Sequence, residues 1–175
     1  MTVARKEEAV EILRRTPDVL EALLAGLPEE WVSADEGEGT WNAAEVVGHL
    51  AEAELHNWIP RLETIIRKGE REPFPPFDRF SHLANRKHQS LEQRLSDFRT
   101  LRMRSIAELN RLVTTEMDLE LTGKHPEFGT VKAGQLLATW VAHDFAHIAQ
   151  IVRVMAKRLR HDVGPWAAYL GILKR

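Results

Sequence analysis

The run Leu136-Leu137-Ala138-Thr139-Trp140-Val141-Ala142-His143-Asp144-Phe145-Ala146-His147-Ile148-Ala149-Gln150-Ile151-Val152-Arg153-Val154 decides how this chain reads. It contains neither glycine nor proline, and its length and spacing suit a helix rather than a strand. At about 100° per residue, Leu136, Trp140, His143, His147, Gln150 and Val154 share one sector, so two imidazoles interrupt a stripe that should face a core. One imidazole on such a face is ordinarily a hydrogen-bonded core histidine. Two at i and i+4 lie one turn apart and both can point at a single ion, which favours metal ligation. At least one further ligand must then come from elsewhere in the chain.

Three more helical segments precede this one. Val10, Leu13, Val19, Leu20, Leu23 and Leu24 give the stretch from Val3 to Leu24 helical spacing; Thr16-Pro17 inside it predicts a kink or break, with Thr16 capping a second segment. Gly26-Leu27-Pro28 ends it, and the acidic, glycine-containing stretch from Glu29 to Thr40 reads as an exposed connection. Asn42 and Glu45 form a variant of the capping box for a helix from Ala43 to about Arg67, with Trp41 stapling its start and Pro60 interrupting its ladder. Between Gly69 and Ser81, three prolines and three phenylalanines (Phe74, Phe77, Phe80) predict a loop that plugs the core or covers a pocket. A third helix, starting near Leu83 or His88, runs to Val113 through Leu91, Leu95, Phe98, Ile106 and Leu109; its alternating acids and bases read as a solvated face. Thr114 to Gly129 reads as a loop, Thr130 as the cap of the histidine helix, and Pro165 to Leu173 as a short closing helix after the Gly164-Pro165 turn. No strand pattern or repeat is evident. The expected fold is all-α, an antiparallel four-helix bundle with a short C-terminal helix, in one domain spanning 1–175.

Composition narrows the function classes. The 175 residues carry a formal charge of -2, which offers no general attraction to nucleic acid or anionic membranes. Cysteine is absent, so the protein supplies neither a disulfide framework nor a thiol nucleophile; any thiol chemistry would use a substrate thiol. Met1 to Leu13 lacks the apolar core of a signal peptide and no stretch approaches about 18 uninterrupted apolar residues, so a cytoplasmic location is expected.

In a bundle, sites are built from side chains on facing helices. His49, amid Val46, Leu50 and Ala53, leads as third ligand, and His56 competes from nearly the same face. Seven residues of helix span about 10 Å, so both cannot easily serve one ion.

With these helices placed, the chain resembles the DinB-like superfamily of metal-binding four-helix bundles, which includes YfiT-like hydrolases and thiol-dependent S-transferases. The resemblance covers nearly the whole chain. It rests on the order and spacing of Trp41-Asn42-Ala43-Ala44-Glu45-Val46-Val47-Gly48-His49-Leu50, Phe98-Arg99-Thr100-Leu101-Arg102, His125-Pro126-Glu127-Phe128-Gly129, His143-Asp144-Phe145-Ala146-His147-Ile148-Ala149-Gln150-Ile151 and Val163-Gly164-Pro165-Trp166. It implies a metal triad of His49, His143 and His147 and, with the apolar surface that a small bundle leaves exposed, a homodimer. Imidazole-only ligation suits Zn or Ni, or else Fe or Mn.

Three neutral imidazoles leave a divalent ion at least one open position, the pattern of catalytic rather than closed structural sites. One use is hydrolysis by metal-bound water; Glu52, Asp144 and Gln150 are then the candidate bases or supporting groups, Asp144 standing where a zincin has glutamate. The other is binding of a low-molecular-weight thiol as a nucleophilic co-substrate, which needs no protein base and is narrowly favoured. A non-enzymatic metal-binding or interaction module is the alternative of another class. Arg61, Arg71, Arg79 and Arg102 are candidates for an anionic group on a small-molecule substrate, although an arginine is more often a surface charge.

Overall fold

A computed structural model describes residues 3–174; Met1, Thr2 and Arg175, at the ends of the expected span, lie outside the described residues. In chain order the elements are α1 (Val3–Leu24), α2 (Glu29–Val32), α3 (Ala43–Ala53), α4 (Ile59–Lys68), α5 (Ser81–Asn85), α6 (Leu91–Leu112), α7 (Glu116–Glu120), β1 (Thr122–His125), β2 (Gly129–Lys132) and α8 (Ala133–Arg158). A π-helical turn, Glu54–Trp58, joins α3 to α4 into one helical path. The apolar stripes of α1, α3–α4, α6 and α8 assemble as a four-helix bundle. Both α6 and α8 pack against α1 and against α3, so the order around the bundle is α1, α6, α3, α8: α1 lies diagonal to α3 and α6 diagonal to α8, while α3 and α6 are neighbours. No helix among the described residues is long and apolar enough to cross a membrane.

Two apolar clusters fill the bundle. One contains Leu13, Trp58, Ile106 and Trp140, the other Leu20, Ala51, Phe98 and Ile151. Along α1, α6 and α8 the switch between clusters falls at a buried polar residue, Thr16, Arg102 and Asp144, and on the α3 path buried Glu54 follows the switch directly. The polar layer is closed by Arg102, whose five N–H groups reach Glu54 Oε1 (3.0 and 2.8 Å), Asp144 Oδ2 and Oδ1 (2.6 and 2.9 Å) and the Leu13 carbonyl (2.8 Å). A buried guanidinium persists only when its donors are met in this way.

Pro17 does not break α1, contrary to the expectation from sequence. Lacking an N–H, it leaves the Leu13 carbonyl without its helical donor, and Arg102 supplies one. Thr16 is not a cap; its hydroxyl donates to Asp144 Oδ2 at 2.6 Å. The second proline acts through the π turn that precedes Pro60. Its wider winding rotates the face that His49 starts, so His56 does not follow it: the His56 side chain is 56% exposed and lies 3.7 Å from Glu52.

Other boundaries also move. Ser90 caps α6 with Gln93, so the helix starts at Leu91. The stretch 29–40 includes α2, and Glu36 in it binds Arg153 and Lys157 of α8. The expected loop 114–129 holds α7 and, with the residues that follow, an antiparallel hairpin in which Thr122 pairs with Lys132. Each strand has four residues, too few for alternation to register against background. Thr130 lies in β2, and Lys132 occupies the cap position of α8. Gly123 lets this hairpin close on the bundle, since a Cβ there would stand 2.7 Å from Ile65 Cγ1 and 2.8 Å from Phe74 Cε1. After α8 the chain forms 3-10 turns, Gly164–Tyr169 and Gly171–Leu173, rather than an α-helix.

Candidate metal centre

His49 comes from α3 and His143 and His147 from α8, two helices that pack together. The α3 start is set by the reciprocal capping box: Glu45 N–H donates to Asn42 Oδ1 (2.8 Å) and Asn42 N–H to Glu45 Oε2 (3.0 Å). His143 Nε2 lies 3.2 Å from His49 Nε2 and 3.1 Å from His147 Nε2. Among the described residues these three form the cluster suited to a metal ion.

The partners of the other ring nitrogens determine what the cluster offers. His49 Nδ1 donates to the Arg79 carbonyl at 3.0 Å, and His147 Nδ1 donates to Gln150 Oε1 at 2.9 Å. Each bond places the ring proton on Nδ1 and leaves the Nε2 lone pair directed at His143. His143 can donate its one proton to only one of them. Burial pushes His49 down to about 4 and His143 down to about 2, with neighbouring imidazoles adding to both; burial also lowers His147. All three rings are therefore neutral at neutral pH. Lone pairs converging in a poorly solvated site fit a divalent ion, and nitrogens around a tetrahedral one with bonds of 2.0–2.1 Å lie about 3.3 Å apart.

A pocket of about 640 Å³ opens onto the triad. Trp41 lies over His49 with ring centroids 4.8 Å apart, Trp58 meets His143 edge-on at 5.1 Å, and Phe77 approaches His49 at 5.9 Å. The hairpin contributes His125, Phe128 and Val131 to the opposite wall. Arg61 and Arg79 also line the pocket, and no aspartate or glutamate does among the described residues. Of the remaining candidate arginines, Arg71 is exposed and bonds to the carbonyls of Lys68 and Arg67, whereas Arg102 belongs to the core layer.

The structure places the three candidate supporting residues differently. Gln150 touches the triad through His147. Asp144 is fully buried in the core polar layer and does not line the pocket, being bound by Arg102 and Thr16. Glu52 accepts from Arg86 Nε (2.9 Å), Asn85 Nδ2 (2.9 Å) and Ser81 Oγ (3.3 Å), fastening α5 to α3 just after the Arg79 carbonyl that His49 uses. The sequence reading did not single out Trp58, or the backbone of Arg79, which also accepts from His82 Nδ1 at 3.1 Å. The sequence signal for Trp58 is an aromatic two residues before Pro60. Nothing local marks a carbonyl.

With the site in view, likeness to known proteins can be weighed. The sequence profile of the DinB superfamily matches residues 12–151, which include all three histidines. Over 153 residues the chain is 26% identical to an Oceanobacillus iheyensis protein named "Putative metal-dependent hydrolase", covering 86% of each. A Geobacillus thermodenitrificans protein of the same name is 36% identical over 53 residues, 30% of each chain. The solved structure of YfiT from Bacillus subtilis, described as "a probable metal-dependent hydrolase with an unusual four-helix bundle topology", matches with a TM-score of 0.77 over 90% of both chains at 21% identity, which shows a shared fold.

Proposed function

The chain belongs to the DinB superfamily, and on that premise we propose that it is a metal-dependent enzyme that transfers a group to a low-molecular-weight thiol. His49, His143 and His147 hold the ion through their Nε2 atoms; Zn or Ni suits an all-imidazole site best. A divalent cation held there supplies Lewis acidity, lowering the pKa of a coordinating thiol or water and polarising an electrophile.

The observation that carries the thiol reading is the lack of any carboxylate among the described residues lining the pocket. His125, the one lining imidazole outside the triad among the described residues, accepts at Nδ1 from the Glu127 and Phe128 N–H groups and so keeps its proton on Nε2, which leaves the nucleophile to ionise without a side-chain base. A thiol, with a free pKa near 8.5, does so far more readily than water at 15.7. In the transfer the thiol loses its proton to solvent, sulfur bonds to the electrophilic carbon, and the leaving group departs with the electron pair of the broken bond. The protein's residues orient and shield. Arg79 and Gln150 hold the His49 and His147 rings in the tautomer that presents Nε2, and Trp41, Trp58 and Phe77 exclude bulk water. Glu52 and Asp144 are positioning residues, acting through α5 and through Arg102.

Hydrolysis is the second reading, favoured by the names of the relatives. The test begins with metal content by mass spectrometry on protein purified without a metal-affinity tag, beside the triple His→Ala variant of His49, His143 and His147. Near-stoichiometric metal lost in the variant supports the centre. The metal-loaded protein is then given chlorodinitrobenzene with small thiols, and p-nitrophenyl acetate without thiol. Thiol-dependent conjugation supports transfer, and thiol-independent ester cleavage lost in the variant supports hydrolysis. Bound metal with neither activity across a broad panel would favour a non-enzymatic metal-binding module.

A further inference from the structure

Neither of the two arginines lining the pocket has a counter-ion among the described residues; Arg79 is exposed and lies over Phe80 at 4.7 Å, whereas Arg61 is set half-buried into the wall. Arg61, near the start of α4, lines the pocket with its Nε buried and without a hydrogen-bond partner among the described residues. Its guanidinium carbon stands 5.6 Å from the Phe74 ring centroid. The other deeply set arginines are all engaged: Arg86 by Glu52 and Asp97, Arg94 by three backbone carbonyls, Arg102 by Glu54 and Asp144. One helical turn before Arg61, Asn57 is buried and lines the same pocket, and its Oδ1 also lacks a partner. Burying polar atoms unpaired is costly, and a pocket wall is where a ligand can complete them.

Building on the proposed enzyme reading, we infer that the substrate carries a carboxylate that pairs with the Arg61 guanidinium, while an apolar, flat body lies among Trp41, Trp58 and Phe77. Arg61 makes no hydrogen bond or ion pair with the described residues, so the part of its guanidinium that meets the pocket is free for a planar carboxylate. With no acid in the pocket, nothing of the protein competes for the guanidinium. Arg61 is thus a specificity-determining residue, placed in the pocket by the π turn that also carries Asn57 and Trp58.

The probes are cinnamate and its neutral isostere cinnamamide, measured by calorimetry on wild type, Arg61→Met and Arg61→Lys, each metal-loaded and after chelation. Wild type should prefer the acid about tenfold or more, in either metal state, from one charge-assisted pair. Arg61→Met should bring the two within about twofold, and Arg61→Lys, which keeps the charge without the fork, should fall between. Thermal unfolding of Arg61→Met should not come earlier than that of wild type, because the substitution removes no partner. The inference is overturned if wild type binds both probes equally or neither, or if the acid preference survives Arg61→Met, including the case where chelation alone abolishes it because the carboxylate sits on the ion. Metal content of the same samples reports separately on the three-histidine reading: a chain without metal that still selects cinnamate through Arg61 keeps the subsite and removes the metal enzyme.

Discussion

Arg102 and Asp144 meet through two hydrogen bonds, 2.6 and 2.9 Å, with both side chains fully excluded from solvent, and Asp144 is the immediate neighbour of His143. The pair ties α6 to the helix that carries two of the three histidines. Glu54, on the path that carries the third, binds the same guanidinium. Burial pushes the Glu54 carboxyl up, and Arg102 offsets part of that rise. One buried cation therefore sets the register of both halves of the site.

Replacing Arg102 with methionine should destabilise the fold by about 3–5 kcal/mol, because two buried carboxylates lose their counter-ion and the Leu13 carbonyl its donor in a dry layer. Urea midpoints measure it. Adding Glu54→Gln and Asp144→Leu to Arg102→Met should recover much of the loss, since the unpaired charges cause it; no recovery would mean that packing rather than charge is decisive.

His49→Ala should weaken metal binding more than 100-fold, whereas His56→Ala should leave it near wild type, because His56 faces solvent after the π turn. Gln150→Ala should fall between, at about 10–100-fold, by freeing the His147 ring to change tautomer. Competition titration with a chromogenic chelator ranks the three.

Gly123→Ala should lower stability by about 1–3 kcal/mol, since its Cβ would overlap Ile65 and Phe74. The hairpin forms one wall of the pocket, so a shift there should weaken cinnamate binding while metal content stays unchanged. Differential scanning calorimetry and metal analysis on one preparation separate these effects.

The hydrogen bonds of Arg153, joined by Lys157, hold the Glu36 carboxyl at about 2 against its ordinary 4.5. The folded pKa lies below the unfolded one, so the unfolded chain takes up the proton first as pH falls. The stabilisation is present above about 4.5 and is lost as pH drops from there toward 2. Glu36→Gln should cost about 1–2 kcal/mol at neutral pH, allowing for solvent screening, and the difference from wild type should vanish near pH 2. Equal urea midpoints at neutral pH would rule out a stabilising role for this contact.

Much of the site was legible because its signals are local. The i, i+4 histidines and the Asn42–Glu45 capping box each depend on residues within about one helical turn, where sequence spacing maps directly onto space. The choice of His49 over His56 was not local in that sense. On a regular helix both share a face, and only the π turn before Pro60 separates them. The four-residue strands of the hairpin were missed for the opposite reason: their pairing is held by contact with α4 and Phe74 rather than by their own pattern.

The sequence by itself determined the helical class, the four long segments and the polar breaks in their apolar stripes, since amphipathic periodicity is a property of each segment alone. Tertiary structure alone decided how those breaks are satisfied. Arg102 read as one charge on a solvated face, yet it is the fully buried centre of the bundle, with partners 42, 48 and 89 residues away. Asp144 and Glu52 read as candidate bases, and their oxygens are engaged by arginines of other helices. Arg61 read like any other arginine, and only the packed pocket leaves its Nε without a partner. A charge does not encode its partner; the bundle's closure brings the two together and removes the water that would otherwise solvate each.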